Sequence, residues 1–196
     1  MTVRRKLLNV GGNSKKIGLS KVYDGWEQVL LDIDPSVRPD IVCDARDLFS
    51  LQPGFYDVIY CSHNLEHYYP HEIPKVLQGF KHLINSCGAV DIHVPDIGEL
   101  MKIVVQNNMD INDFLYESNT GPITVHDVLF GYHVELEKTG NDFFAHKTGF
   151  SMQGIEKVLH MNGFPYVYLG AANLEIRAVA FTEPPNSFFR NLYQIP

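Results

Sequence analysis

Cysteine is scarce in this chain. Cys43, Cys61 and Cys87 stand apart with no C-x-x-C pair, which removes cysteine-based zinc sites and a disulfide framework. Two of them lie in apolar runs, DIVCDA and VIYCSH. The three read as buried, reduced thiols of a cytoplasmic protein. Long apolar stretches are missing too. No window approaches the roughly 18 residues of a membrane span, and the apolar part of MTVRRKLLNVGG is too short for a signal peptide. No membrane partner is expected. Positive charge is in deficit, with a net charge of −7 and a pI near 5.7. Such a surface repels phosphate backbones and argues against a nucleic-acid partner. Arg4, Arg5, Lys6, Lys15 and Lys16 read as ordinary solvated charge.

What is present is a globular composition: 196 residues, 45% hydrophobic and 20% charged, enough for one domain over 1–196. Near-continuous apolar runs at Lys6–Val10, Val29–Ile33, Ile41–Cys43, Tyr56–Cys61 and Ala89–Val94 predict strands buried on both faces of a parallel sheet. In His71–Ile84, residues Ile73, Val76, Leu77, Phe80, Leu83 and Ile84 recur at helical spacing, with Pro70 and Pro74 at the start, where proline is tolerated. Asp96 and Glu99 predict a capping box opening a helix over 97–107. Shorter helical pieces are expected around 111–117 and 124–131, and no periodicity over 132–149. Ser151 caps a helix to about 161, followed by strands Tyr166–Leu169 and Leu174–Thr182. Residues 97–150 form an insertion or lid, and 183–196 an apolar tail.

The order strand, Gly11-Gly12, strand, Asp32 is the start of a nucleotide-type site. In open parallel sheets ligands bind beyond the carboxyl ends of the strands. The glycines permit close backbone approach, and Asp32 can accept both hydroxyls of a ribose. Asp44, past the third strand, can accept from an adenine amino group. Singly, Asp32 also reads as the start of a loop and Asp44 as a turn cap.

From LLNVGG through VLLDIDP, DIVCDARDLF and FYDVIYCSHNLEHYYPHEIPKVLQGFKHLINSCGAVDIHVPD, the chain resembles the class I S-adenosylmethionine-dependent methyltransferases, and most of all their compact type 11 group. The resemblance covers 6–96 closely and 146–182 loosely. It implies an α/β, Rossmann-like, mostly parallel seven-stranded sheet with an antiparallel last strand. It also implies S-adenosylmethionine as cofactor. By motif, Gly11, Gly12 and Asn13 would line its methionine and ribose end and Asp32 would hold the ribose. Ile33 would pack on the adenine, Asp44 and Ala45 would meet its edge, and Ser62 and His63 would face the sulfonium and the acceptor.

HNLEH, residues 63–67, also matches the H-x-x-E-H zinc signature. That site needs a continuous helix, whereas here a strand precedes His63 and Pro70 follows closely. No metal is assigned. A nicotinamide-dependent oxidoreductase would open a helix with G-x-G-x-x-G, and this chain does not. The function expected is methyl transfer to a small-molecule acceptor, with His63, His146 and His126 as candidate bases. The alternative is a cofactor-binding scaffold that has lost catalysis.

The sequence departs from the family in its glycine loop, which lacks a third glycine, and in abbreviated first helices: 13–28 carries no amphipathic helix, and Asp34–Asp40 is short for a crossover. One sheet face therefore lacks its usual cover. The tail with Phe188, Phe189, Leu192 and Tyr193, the insertion, or a second subunit can supply it, and a homodimer is the expectation.

Overall fold

The computed structural model describes residues 4–118 and 121–196. The first three residues of the expected domain and 119–120 of the expected insertion lie outside the described residues.

Seven strands form one sheet: β1 (Lys6–Val10), β2 (Glu27–Asp32), β3 (Ile41–Val42), β4 (Tyr56–Ser62), β5 (Ile84–Pro95), β8 (Tyr166–Ala172) and β9 (Glu175–Phe181). Their order is β3-β2-β1-β4-β5-β9-β8. The pairs from β3 to β5 are parallel, and β9 lies antiparallel between β5 and β8. The apolar runs are buried on both faces; Leu7, Leu8, Val58, Ile59, Val90 and Ile92 are each fully enclosed.

Helix α1 (Ile73–Leu83) lays the stripe Ile73, Val76, Leu77, Phe80 and Leu83 on one face. Each side chain buried this way contributes roughly 1.5–3 kcal/mol relative to exposure. Helix α5 (Met152–Met161), capped by Ser151 Oγ accepting from the Gly154 N–H at 3.2 Å, adds Ile155 and Leu159 to the same core.

The opposite face is covered from within the chain. Helix α6 (Ser187–Tyr193) in the tail sets Phe188, Phe189 and Tyr193 against Leu7, Val58, Val179 and Phe181, together with Tyr23 and Trp26. The chain between β1 and β2 forms only a short 3-10 turn at Lys21–Tyr23, and the β2–β3 link another at Pro35–Val37. The tail occupies the space those abbreviated helices leave, so this reason for expecting a homodimer falls away.

The insertion holds α2 (Ile97–Gln106), a hairpin of β6 (Phe114–Ser118) and β7 (Gly121–Thr124), α3 (Val125–Phe130) and α4 (His133–Thr139). The hairpin corrects the helix expected at 111–117. The Asp113 side chain turns the chain by accepting from the Asp110 N–H at 2.7 Å, and Phe114 and Tyr116 then pair with Thr124 and Ile123. Aromatic residues suit such a pleated surface. Helix α4 falls where no periodicity was read. The capping box at Asp96 is half formed. Its carboxylate accepts from the Glu99 N–H at 3.0 Å, but its own N–H donates to Leu174 O at 2.8 Å and Glu99 pairs with Lys102. Among the described residues no helix is long and apolar enough to cross a membrane. Of the cysteines, Cys61 is buried, Cys43 half-buried and Cys87 exposed, which corrects the expectation that all three are enclosed.

Candidate active site

The chain turns sharply after β1. Gly11 takes φ +67°, and its N–H donates to Leu31 O at 2.8 Å. A Cβ on Gly11 would stand 2.1 Å from the Asn64 amide nitrogen, and one on Gly12 2.1 Å from that of Asn9. Two asparagine side chains thus lie directly on the loop backbone, and only glycine leaves room for them.

These residues line a cavity of about 370 Å³ at the carboxyl ends of β1, β2 and β4, together with Asn13, Asp32, Ile33, Ser62 and His63. The volume lies in the roughly 300–1,000 Å³ range of small-molecule sites. Asp32 is 8% exposed. Its Oδ2 accepts from the Asn13 N–H at 3.1 Å and its Oδ1 from the Asp34 N–H at 3.0 Å. Each oxygen keeps a second lone-pair direction for a ligand hydroxyl.

Asp44 lines an adjoining pocket of about 230 Å³ that shares Ile33, Asn64, His67 and Phe143 with the first cavity. Its carboxylate caps the turn at 45–50 by accepting from the Arg46 N–H at 2.8 Å, and Arg46 Nε reaches both oxygens at 3.0 Å. Arg46 also pairs with Glu72. Burial works to raise the Asp44 carboxyl, but Arg46 outweighs it and the net shift is downward. Ala45, expected at an adenine edge, is buried in the core and lines neither cavity.

A further cavity of about 630 Å³ opens beyond β4 and β5 into the insertion. Its walls are mainly apolar and aromatic, with Leu115, Tyr116, Ile123, Tyr132 and Leu174, and His63, His146, Asp127 and Glu175 supply the polar groups. His63 lines both this cavity and the glycine-loop cavity.

The three candidate histidines differ in state and position. His63, at φ +48°, meets Glu175 at 2.8 Å, and its other ring nitrogen stands 3.6 Å from Glu66. Glu175 and then Glu66 push its imidazole up to about 10, so it is a cation at neutral pH rather than a free base. Burial pushes the His146 imidazole down, leaving it neutral. His126, on α3, has its ring against Phe130 of the same helix and His133 of α4, and it lines neither cavity.

Behind His63 runs a charged chain that the sequence reading missed. Glu175 also meets His93 at 2.9 Å, and His93 stands 3.3 Å from Asp91. His63 and His93 hold the Glu175 carboxyl down at about 2. Burial works to lower the His93 imidazole, but Asp91 and Glu175 carry it up to about 9. Asp91 and His93 interrupt the apolar run AVDIHV; two ionisable residues inside a buried strand were the signal available.

The strand order, with its antiparallel β9 between β5 and β8, and the cavity at the strand ends define the class I methyltransferase fold. Solved structures share it at low identity. A SAM-dependent methyltransferase from Archaeoglobus fulgidus matches at 15% identity and TM-score 0.56, over 91% of this chain and 86% of that one. An O-methyltransferase family protein from Burkholderia thailandensis matches at 12% identity and TM-score 0.61, over 90% of this chain and 50% of that one. A 1,6-didemethyltoxoflavin-N1-methyltransferase from the same organism, with 1,6-didemethyltoxoflavin and S-adenosylhomocysteine bound, matches at 14% identity and TM-score 0.50, over 90% and 71%. No known family profile matches the chain, and no curated protein matches it in sequence.

Proposed function

We propose that this protein is an S-adenosylmethionine-dependent methyltransferase acting on a small-molecule acceptor, in the cytoplasm. The observation that carries the reading is the meeting of Asp32, the Gly11-Gly12 turn and Ser62 on one cavity at the sheet's carboxyl edge. The donor set suits that cofactor. The Asp32 carboxylate can accept from a ribose diol. Ile33 and Phe143, both half-exposed to the same space, offer apolar faces to an adenine. The acidic wall of Asp32 and Asp34 favours a ligand that carries positive charge.

When bound, S-adenosylmethionine supplies a methyl group on a cationic sulfur. The chain's own work is alignment and exclusion of water. His63 stands where the two cavities meet, and Glu175 fixes its ring. The larger cavity, with its aromatic walls, is the acceptor pocket in this reading. His146, neutral and facing that pocket, has the lone pair that can lower the cost of removing an acceptor proton. The acidic surface and a pocket of about 630 Å³ suit a small acceptor rather than a nucleic acid.

The second reading, a scaffold that binds the cofactor without turning it over, draws on the missing third glycine and on His63 being held as a cation. A screen for methyl transfer to small hydroxyl and amine compounds separates the two. Transfer to at least one class is expected. Cofactor binding without turnover on any acceptor supports the scaffold, and binding of NAD in preference to S-adenosylmethionine removes both.

A further inference from the structure

Glu66, His67 and His146 each offer one ligand atom, and these atoms lie within 4.8 Å of one another. The cluster is non-local. Lys147 and Thr148 donate backbone N–H bonds to Glu66 O at 2.8 and 3.2 Å, and His146 donates its own to Phe130 O at 3.0 Å. Those bonds bring His146 beside His67, with ring centroids 5.0 Å apart.

Two features point to a ligand. First, the Glu66 side chain is 1% exposed, and neither of its carboxylate oxygens has a hydrogen-bond partner among the described residues. Its nearest cation, His63 at 3.6 Å, lies beyond hydrogen-bond distance. A buried carboxylate that meets a cation only at 3.6 Å and accepts no hydrogen bond leaves its lone pairs unfilled, a state proteins avoid. Second, both imidazoles are oriented from behind. His67 Nδ1 stands 3.0 Å from Ala145 O, and His146 Nδ1 stands 2.9 Å from Val128 O. A carbonyl only accepts, so each Nδ1 carries the proton and each Nε2 of a neutral ring is bare. This outer-shell arrangement is the one that fixes metal-binding histidines.

We propose that Glu66, His67 and His146 form a site for a divalent first-row metal ion, positioned between the glycine-loop cavity and the acceptor pocket. Two imidazoles and one carboxylate suit zinc, manganese, cobalt or iron(II) and leave coordination positions open. Metal–ligand bonds of about 2.0–2.2 Å require the three groups to draw in by roughly 1 Å. His67 lines the glycine-loop cavity and His146 the acceptor pocket, so an ion held by both would stand between the two cavities. This is not the H-x-x-E-H pairing: His63 turns to Glu175 instead.

Resting on the methyl-transfer reading, the ion has a role. With the His146 lone pair committed to metal, an acceptor hydroxyl bound at the open position has its pKa lowered, and its proton passes to water. That selects oxygen acceptors.

The test uses the intact protein, stripped with a chelator and titrated with Co²⁺ and with Zn²⁺ alone. One ion per chain is expected, with X-ray absorption of the cobalt form showing two imidazoles. Glu66→Gln and His146→Ala should each weaken binding at least tenfold. No binding at millimolar metal, an all-oxygen shell in the wild-type protein, or variants that bind as the wild type does would each overturn the site. The spectroscopy needs only wild-type protein, so an unfolded variant does not blunt the test. Neither cofactor nor acceptor is present, so the result stands apart from the fate of the methyl-transfer reading. The role in that reaction is tested separately: a metal-loaded enzyme that methylates amines but no hydroxyl compound would remove it.

Discussion

Arg177 grips Asp91 across the β5–β9 pair with two hydrogen bonds, Nε to Oδ1 at 2.9 Å and Nη2 to Oδ2 at 2.7 Å. Asp91 is fully buried, and Tyr23 donates its hydroxyl to the same carboxylate. Burial works to raise the Asp91 carboxyl, but His93 and Arg177 outweigh it and hold it down. Removing one partner of a buried pair typically costs about 3–5 kcal/mol, and here His93 and Tyr23 stay on Asp91, which places the cost toward the lower end. Arg177→Met should therefore lower the urea midpoint strongly. The double variant Arg177→Met, Asp91→Leu should recover part of the loss. An Arg177→Met protein as stable as the wild type would show that the pair is not a structural brace.

The sheet-covering tail gives a second expectation. Phe189 is 1% exposed, with its ring stacked on Tyr193 at 5.9 Å and edge-on to Phe181 at 5.7 Å. Phe189→Ala should cost about 3–5 kcal/mol, read by thermal or urea unfolding. Light scattering on the same variant should show association, because the opened face is apolar.

The insertion carries its own pH dependence. Burial works to raise the Asp127 carboxyl, but hydrogen bonds from Thr124 and His133 outweigh it and hold it at about 2. The folded value lies below the unfolded one, near 3.9. The stabilisation is therefore full above about pH 4 and is lost as pH falls toward 2. Asp127→Asn should lower the melting temperature at pH 6, and the gap to wild type should shrink at pH 3. A gap that stays constant across that range would contradict the carboxylate's part in capping α3.

Much of the fold was legible because it is written in local pattern. Runs such as KLLNV and YDVIYC, short and bounded by turn residues, read as strands enclosed on both faces, and the α1 stripe repeats at helical spacing. The family resemblance named Gly11, Gly12, Asn13, Asp32, Ile33, Ser62 and His63, and these residues line one cavity. What stayed hidden depends on distant contacts. FLYES carries enough apolar residues to pass for a helix turn, and only its partner strand makes it a hairpin. Nothing local in EIRAV marks Glu175 as the partner of His63 or Arg177 as that of Asp91. The meeting of His67 with His146 spans 79 positions and is set by backbone bonds in a stretch without periodicity. The tail was one of three covers the abbreviated helices called for, and the choice among them rests on its distant contacts with Leu7, Val58 and Phe181.

The central claim is that Asp32 and the diglycine turn hold an adenosyl group. Titration calorimetry with S-adenosylhomocysteine, on wild type and Asp32→Ala side by side, tests it most directly. The account predicts saturable one-to-one binding by the wild type. It also predicts a loss of about 1.5–3 kcal/mol in the variant, the usual worth of hydrogen bonds to a charged group, or roughly a 10- to 150-fold weaker Kd. Wild-type protein that takes up no S-adenosylhomocysteine at millimolar concentration, or a variant that binds it equally well, would contradict the account.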